Sequence, residues 1–118
     1  MRDESRGRAV TLIAELRAEP GYEVRIAKLL DSLAVAVKDE PSQPTFSPSW
    51  SMEKGLFVVY ERYLDQSAFE SHLAAPHTQE FNRAVSPFVV GGRSSLTFLY
   101  PLNVLATTVD SRSELVDN

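Results

Sequence analysis

The chain has 118 residues, of which 43% are hydrophobic and 24% are charged, a balance typical of one globular domain. Acidic residues outnumber basic ones, 16 against 12, and the net charge of −4 argues against a nucleic-acid partner. The absence of cysteine excludes disulfides, thiol nucleophiles and cysteine metal sites. No apolar run could cross a bilayer, and the charged start MRDESRGR is unlike a signal peptide. We therefore expect a cytoplasmic protein without a membrane partner.

The first part of the chain predicts a frayed start, a strand and a long helix. Residues 1–7 are polar and are expected to fray. Over residues 8–17 apolar side chains alternate as in a strand with one buried face, at Val10, Leu12, Ala14 and Leu16. After Pro20-Gly21, residues 22–38 carry an apolar stripe at helical spacing, formed by Ile26, Leu30, Leu33 and Val37.

The middle of the chain predicts a loop and the strongest strand. Three prolines over residues 39–48 favour a loop or a sheet edge, because proline cannot donate to a ladder. A short strand over residues 49–52 and a turn follow, then a strand over residues 56–64 with two apolar faces. One face carries Phe57 and Val59, and the other carries Leu56, Val58 and Tyr60. Because two helices in one layer cover only one face, we expect a second copy of the chain to cover the other.

The next segment predicts a helix with an interruption. Asp65 is one candidate N-cap, and Ser67, with Glu70 three residues later, is the other. One face of this helix carries Ala68, Phe69, His72 and Leu73. Pro76 breaks or kinks the helix, and a second helical run continues over residues 77–85.

The order of the predicted elements indicates the fold class. A last strand is predicted over residues 94–102, and the polar residues 103–118 are expected to form a loose tail or an arm on a partner. The order β-α-β-β-α-β within residues 8–102 predicts one α+β domain of the ferredoxin-like kind, an antiparallel sheet with its helices on one face. This fold hosts many unrelated functions, so the function must be argued from a site.

A motif over residues 60–81, YERYLDQSAFESHLAAPHTQEF, carries the information on family. Its defining positions are Tyr60, Glu61, Tyr63, Asp65, Ala68, Phe69, His72, Pro76 and His77. This motif resembles the signature of the antibiotic biosynthesis monooxygenase domain family, and the opening strand that runs into Pro20-Gly21 is also similar. The resemblance extends over residues 8–102. The segment between the first helix and the third strand departs from it, because many relatives have a Pro-Gly-Cys turn there.

The resemblance implies a dimeric α+β barrel, in which two sheets pack face to face. Members of the family include cofactor-independent oxygenases of phenolic, quinol or polyketide-like substrates and isomerases of small oxygenated metabolites. Another branch degrades haem with an Asn, a Trp and a His, and the corresponding positions in this chain are Ala14, Tyr63 and Asn82. Because all three differ, haem degradation is not expected.

The same comparison implies a pocket between the sheet and the helices, with Ala14 and Tyr63 facing it. Alternation along the strands adds Leu12, Phe57, Val59 and Glu61 to that side. We assign substrate binding to Leu12, Ala14, Phe57, Val59, Phe81 and Asn82, and expect a small apolar or aromatic ligand. Core packing without a ligand is the alternative for Leu12, Phe57 and Val59, and a solvated helix position is the alternative for Asn82.

Catalysis is assigned to Glu61, Tyr63 and His72. Glu61 lies among apolar side chains, so its pKa could be raised and it could take a phenolic proton. A structural ion pair or a contact with a helix dipole is the alternative for Glu61. Tyr63 would line the pocket, or would be a buried tyrosine whose hydroxyl has a partner. His72 would be an acid or base of the pocket, or a packing residue whose ring nitrogens bond the backbone.

The two histidines, His72 and His77, also raise the question of a metal. Their spacing of five places them about 140° apart on a continuous helix, and Pro76 interrupts that helix. The zinc-helix spacing of four is absent and there is no cysteine to help, so we expect no metal site. The resemblance to cofactor-independent oxygenases implies that no cofactor is needed. His77 is expected to cap the second helical run or to hydrogen-bond at its start. Trp50 is expected to lie in the dimer interface, and covering the mouth of the pocket is the alternative.

Three hypotheses on function follow from the sequence. The first is a homodimeric, cofactor-independent monooxygenase that oxidises a small phenolic, quinol or polyketide-like substrate with O₂. The second is an isomerase that moves protons in the same pocket. The third is a non-catalytic protein that binds a small molecule, such as a stress protein.

Overall fold

The computed structural model describes residues 7–103, which contain a four-stranded antiparallel sheet. The strands lie in the order β2-β3-β1-β4. They are β1 (Val10–Arg17), β2 (Thr45–Trp50), β3 (Leu56–Tyr63) and β4 (Ser95–Leu99). The predicted α+β class and ferredoxin-like arrangement are therefore confirmed.

Three helices connect the strands, namely α1 (Glu23–Val37), α2 (Gln66–Ala74) and α3 (Pro76–Val85). None of the helices in residues 7–103 is long and apolar enough to span a bilayer. The N-cap of α2 is Asp65, whose carboxylate accepts a hydrogen bond from the Ala68 amide at 2.8 Å. Pro76 occupies the first turn of α3, where an amide hydrogen would have no helical partner. The helix is thus interrupted where the sequence predicts it.

One face of the sheet packs against the helices and forms the core. Its buried side chains alternate along the strands, as Leu12, Ala14 and Leu16 in β1 and Phe57, Val59, Glu61 and Tyr63 in β3. The buried stripe of α1 is the one that the sequence predicts, Ile26, Leu30, Leu33 and Val37. Glu61 lies between Val59 and Tyr63 on this face, so the register of β3 places a carboxylate within an otherwise apolar layer.

The opposite face of the sheet also carries apolar side chains. Ile13 and Val58 on this face are half-buried, and Tyr60 is 41% exposed. Ile13 pairs directly with Tyr60 across the central strands. Within residues 7–103 the helices pack on the other face, and the cover by a second subunit that the sequence predicts for this face stays a prediction.

The strand boundaries differ from the predicted ones by one or two residues in β1 and β3 and by more in β2 and β4. β2 begins at Thr45 instead of residue 49 and contains Pro48. It lies at the edge of the sheet and pairs with β3 alone. Proline has no amide hydrogen to donate to a ladder, and an edge strand is where a sheet tolerates it. β4 is shorter than the predicted range 94–102. The predictions for residues 1–7 and 103–118 fall, apart from Gly7 and Asn103, outside the described residues.

Candidate functional site

A cavity of about 720 Å³ lies between the helix-facing side of the sheet and the three helices. Most of its wall is apolar, and its buried polar side chains are Glu61, His72 and Thr78. Seven of the residues assigned from the sequence line it, namely Leu12, Ala14, Val59, Glu61, His72, Phe81 and Asn82. The fold therefore brings most of the predicted site residues to one cavity.

Phe57 lines a different cavity, about 410 Å³ in volume, between α1 and β2. Its ring stacks on Trp50, with 5.7 Å between the ring centroids. Trp50 itself is 62% exposed in the single chain. Phe57 therefore packs near the start of β3, four residues before Glu61, and the interface role of Trp50 stays a prediction.

Glu61 and Tyr63 lie on the same side of β3, because side chains of a strand repeat every two residues. The Tyr63 hydroxyl donates a hydrogen bond to Oε1 of Glu61 at 2.6 Å, and both side chains are buried. Within residues 7–103 no salt bridge involves Glu61. The carboxyl group therefore lies in the cavity wall with a phenol as its donor, and Tyr63 lies behind it rather than at the cavity surface.

Burial raises the pKa of Glu61 from 4.5 to about 7, because apolar surroundings disfavour the charged form. The hydrogen bond from Tyr63 lowers this pKa, and the charge of Glu40 raises it. Burial also raises the pKa of Tyr63, and the nearby charge of Glu61 raises it further, so this hydroxyl keeps its proton. Near neutral pH, Glu61 is therefore present in both protonation states, which suits a general base.

A second polar cluster joins the end of α1 to the junction of α2 and α3. Oε2 of Glu40 lies 2.8 Å from Nδ1 of His72 and 2.6 Å from Nε2 of His77. The break at Pro76 brings the two imidazole rings to 6.3 Å between centroids. His72 and His77 are not on one continuous helix, because α2 ends at Ala74 and α3 begins at Pro76 after the extended residue Ala75. The expected separation of about 140° around a helix axis therefore does not apply.

His72 is buried among aromatic rings and belongs to the cavity wall. Its ring centroid lies 5.0 Å from that of Tyr63 and 6.0 Å from that of Phe46. Burial lowers the pKa of His72; the hydrogen bond and charge of Glu40 raise it, and the charge of His77 lowers it. The imidazole is therefore neutral near pH 7. Its Nδ1 bonds the carboxylate of Glu40 and not the backbone, unlike the packing alternative.

The same three side chains, Glu40, His72 and His77, offer donor atoms within 4.8 Å of one another, as a metal site requires. Donors around a tetrahedral zinc ion stand about 3.3 Å apart, because each lies about 2.0–2.1 Å from the metal. The observed N···O distances of 2.8 and 2.6 Å are shorter and are those of hydrogen bonds. The geometry therefore describes a hydrogen-bonded chain with the carboxylate at its centre.

Thr78 lines the large cavity, and its hydroxyl oxygen is buried behind the wall. It is 4% exposed, and its Oγ1 has no hydrogen-bond partner among residues 7–103. An unpaired buried hydroxyl costs free energy. Asn82 and Arg93 also line this cavity and are exposed, so polar groups lie where the cavity meets solvent.

Glu40 and Thr78 are not among the site residues predicted from the sequence. Glu40 lies 32 residues before His72, and only the packing of the helices brings them together. The helical spacing offered one indication that Glu40 is buried. The apolar stripe of α1 ends at Val37, and the next position on the same helical face, three residues later, is Glu40. No pattern around Thr78 distinguishes it from an ordinary polar residue in the first turn of a helix.

A family model described as "Antibiotic biosynthesis monooxygenase" matches residues 9–84 of the chain. This range runs from the start of the sheet to the end of α3 and includes Glu40, Glu61, Tyr63 and His72. No curated protein matches the chain.

Solved structures share the fold. Rv0793 from Mycobacterium tuberculosis is 24% identical with a TM-score of 0.73, and the alignment covers 79% of this chain and 94% of that one. PA3566 from Pseudomonas aeruginosa is 23% identical with a TM-score of 0.72, over 81% of this chain and 96% of that one. These similarities show a common fold, and the family model, which matches more than half of the chain, shows its membership. The chain belongs to the antibiotic biosynthesis monooxygenase family.

Proposed function

We propose that this protein is a cofactor-independent monooxygenase that oxidises a small phenolic, quinol or polyketide-like molecule with O₂. The observation that carries the proposal is Glu61, a buried carboxyl group in the wall of an apolar cavity, with a pKa of about 7. A base of this strength can take the proton of a phenol as the ring enters the cavity. The description of the matching family as a monooxygenase supports the class of reaction.

The reaction begins with transfer of the phenolic proton to Glu61. The substrate anion is electron-rich and gives its electrons to O₂, so the substrate itself is the reductant. For a ring C–H opposite the hydroxyl, one oxygen atom becomes a carbonyl of the product and the other leaves as water. Both hydrogens of that water come from the substrate, and atoms and electrons balance with O₂ as the only co-reactant.

Tyr63 prepares Glu61 for this step. Its hydroxyl holds Oε1 of the carboxyl group, which leaves Oε2 to meet the substrate. The cavity wall around them is made of buried side chains such as Leu12 and Val59, which exclude water and suit an aromatic ring. Because Tyr63 lies behind Glu61, it positions the base and does not itself meet the ligand.

The active form is a homodimer in which the outer faces of two sheets pack into an α+β barrel. The support is the apolar outer face around Ile13, Val58 and Tyr60, which no helix of residues 7–103 covers. Packing two such faces would bury these side chains and complete a core for both subunits.

An isomerase is the second candidate. Glu61 and His72 line the same cavity; the pKa of Glu61 is raised to about 7, and burial keeps the imidazole of His72 in its neutral, proton-accepting form. Two such groups can remove a proton from one carbon of a substrate and return it to another. This reaction consumes no O₂, which separates it from the first proposal.

Oxygen uptake with a panel of phenols, hydroquinones and polyketide-like quinols tests the proposal. The wild type is expected to consume one O₂ per product, with one ¹⁸O atom from ¹⁸O₂ in the product. Glu61→Gln should lower the rate about 100-fold, whereas Glu80→Gln, on an exposed position of α3, should leave it unchanged. Solvent deuterium exchange into a substrate without O₂ uptake would favour the isomerase. Saturable binding with neither reaction would overturn both and favour a binding protein.

A further inference from the structure

The chain of Glu40, His72 and His77 lies between two cavities. His72 lines the large cavity that also contains Glu61. Glu40 and His77 line a third cavity, about 580 Å³ in volume, between the end of α1 and α2. The exposed fraction of the side chain falls from 28% for His77 to 8% for Glu40 and 5% for His72. The cluster therefore lies between the large cavity and the third one, with His72 as its most buried member.

The hydrogen bonds to Glu40 determine which nitrogen of His72 carries the proton. A carboxylate oxygen accepts hydrogen bonds and does not donate them, so Nδ1 of His72 is the donor to Oε2. A neutral imidazole has one ring proton, and Nε2 of His72 is therefore the basic nitrogen. Nε2 of His77 donates to the same oxygen and keeps the carboxylate turned toward His72.

We propose that Glu40 and His77 are positioning residues that hold His72 in the Nδ1–H tautomer, so that its Nε2 is a second proton acceptor of the cavity. A carboxylate that orients an imidazole in this way also stabilises the imidazolium that forms when Nε2 takes a proton. The catalytic consequence rests on the proposed function, whereas the tautomer does not.

The proposed oxidation needs two proton acceptors, because the substrate loses an O–H and a C–H hydrogen. Glu61 takes the first proton, and the anion then adds O₂ at carbon. Nε2 of His72 takes the carbon-bound proton as the C–H electron pair forms the carbonyl and the O–O bond breaks. The leaving oxygen keeps that bond's electron pair and receives both protons, from Glu61 and His72, to leave as water. Both residues return to their starting state.

The groups that face His72 act on its pKa in opposite directions. Glu40, after α1, raises this pKa, whereas His77, in α3, lowers it. The remaining titratable neighbours come from β3, where Tyr63 packs on the ring and Glu61 lines the same cavity. Glu40→Gln should therefore lower the titration midpoint of His72, and His77→Ala should raise it.

Nitrogen-15 spectroscopy of the imidazoles in the full chain tests the positioning role without any activity. In the wild type at pH 7.5, His72 is expected to show a protonated Nδ1 and a bare Nε2. The two variants should move the midpoint of His72 in opposite directions, and Glu80→Gln should leave it in place. An unchanged midpoint in Glu40→Gln, or shifts of the same sign in both variants, would overturn the proposal.

Kinetics test the catalytic consequence. Glu40→Gln should lower kcat about 10- to 100-fold with KM within about 2-fold, and Glu40→Asp should restore part of the rate. Circular dichroism verifies that each variant is folded. Full activity of Glu40→Gln beside an impaired Glu61→Gln would overturn the role of His72 and leave the proposed function standing. An inactive wild type with the expected nitrogen spectra would overturn the proposed function and leave the positioning of His72 standing.

The same cluster could instead bind a metal, and calorimetry with Zn²⁺ and Co²⁺ separates the two interpretations. We expect no saturable binding at the cluster in the wild type. Binding of one ion per chain that is lost in both Glu40→Gln and His77→Ala would assign these side chains to a metal and overturn the proposal.

Discussion

The Tyr63 hydroxyl donates a 2.6 Å hydrogen bond to the carboxyl group of Glu61, two residues earlier on the same strand. Burial raises the pKa of Glu61 to about 7, and this hydrogen bond keeps it from rising further. The hydrogen bond from the phenol stabilises the ionised carboxylate, which is the form that accepts a proton. It therefore sets the pKa at which Glu61 can act as a base.

Removal of that donor should move the pH dependence of the reaction. In Tyr63→Phe the pKa of Glu61 rises above about 7, so less of the ionised base is present at neutral pH. We expect the acidic limb of the pH–rate profile to move to higher pH and the rate at pH 7 to fall about 3- to 10-fold. Tyr22→Phe, at a 41% exposed position before α1 and outside the cavity, is the matched control. If Tyr63→Phe has the same pH–rate profile as the wild type, this prediction is contradicted.

The raised pKa of Glu61 also affects stability. In the unfolded chain Glu61 loses its proton near pH 4.5, whereas in the folded protein it keeps the proton to about pH 7. The folded state therefore binds more protons over this interval, and the free energy of unfolding falls as pH rises through it. At pH 8 the cost of the ionised group is about 3 kcal/mol.

Glu61→Gln removes this titration, so we expect the variant to gain stability over the wild type between pH 5 and pH 8. Urea unfolding at the two pH values measures the difference, and Glu80→Gln controls for loss of a surface charge. A variant whose stability follows the wild type in parallel from pH 5 to pH 8 would show that Glu61 ionises freely in the folded protein.

The parts of the fold that local sequence determines were predictable. The stripe of α1 is buried as its spacing predicts, because a helix places residues three and four apart on one face. The position of Glu61 on the helix-facing side of β3 follows from the two-residue repeat of a strand in the same way.

The parts of the site that depend on distant contacts were not predictable. Glu40 meets His72 across 32 residues, and His77 joins them because Pro76 redirects the chain. The spacing rule holds for one continuous helix, so it wrongly placed His72 and His77 on different faces, whereas their ring centroids lie 6.3 Å apart. Phe57 shares the alternation of Val59 and yet lines another cavity, because β2 and α1 close over its end of the strand.

Thr78 offers a test of ligand contact that leaves the fold intact. Its Oγ1 is buried without a partner in the described range, so Thr78→Val removes an unsatisfied group and keeps the shape. We expect an equal or higher melting temperature and about a 10-fold weaker affinity for a ligand that pairs with the hydroxyl. Differential scanning calorimetry and titration of the best substrate measure the two effects. Equal affinity in both proteins would mean that the ligand does not reach Thr78.

The sequence leaves two candidates for the N-cap of α2, Asp65 and Ser67, and the structure distinguishes them. Asp65, and not Ser67, accepts the hydrogen bond from the Ala68 amide. Asp65→Ala should therefore lower the free energy of unfolding by about 1 kcal/mol. Ser67→Ala, at an exposed position, should change it by less than about 0.5 kcal/mol. Chemical denaturation of both variants checks the prediction, and a larger loss in Ser67→Ala would reverse the assignment.

The proposed dimer places Ile13 at the centre of a buried interface. Ile13 lies on the outer face of β1, opposite Tyr60 of β3 and Thr97 of β4. A lysine at this position stays in water in a monomer, but it brings an unpaired charge into the apolar contact of a dimer. We expect the wild type to have the mass of two chains by light scattering, and Ile13→Lys the mass of one. Val35→Lys, at a 62% exposed position of α1, adds the same charge away from the sheet and should leave the dimer intact. A wild type with the mass of one chain would contradict the dimer, and a dimeric Ile13→Lys would place the interface elsewhere.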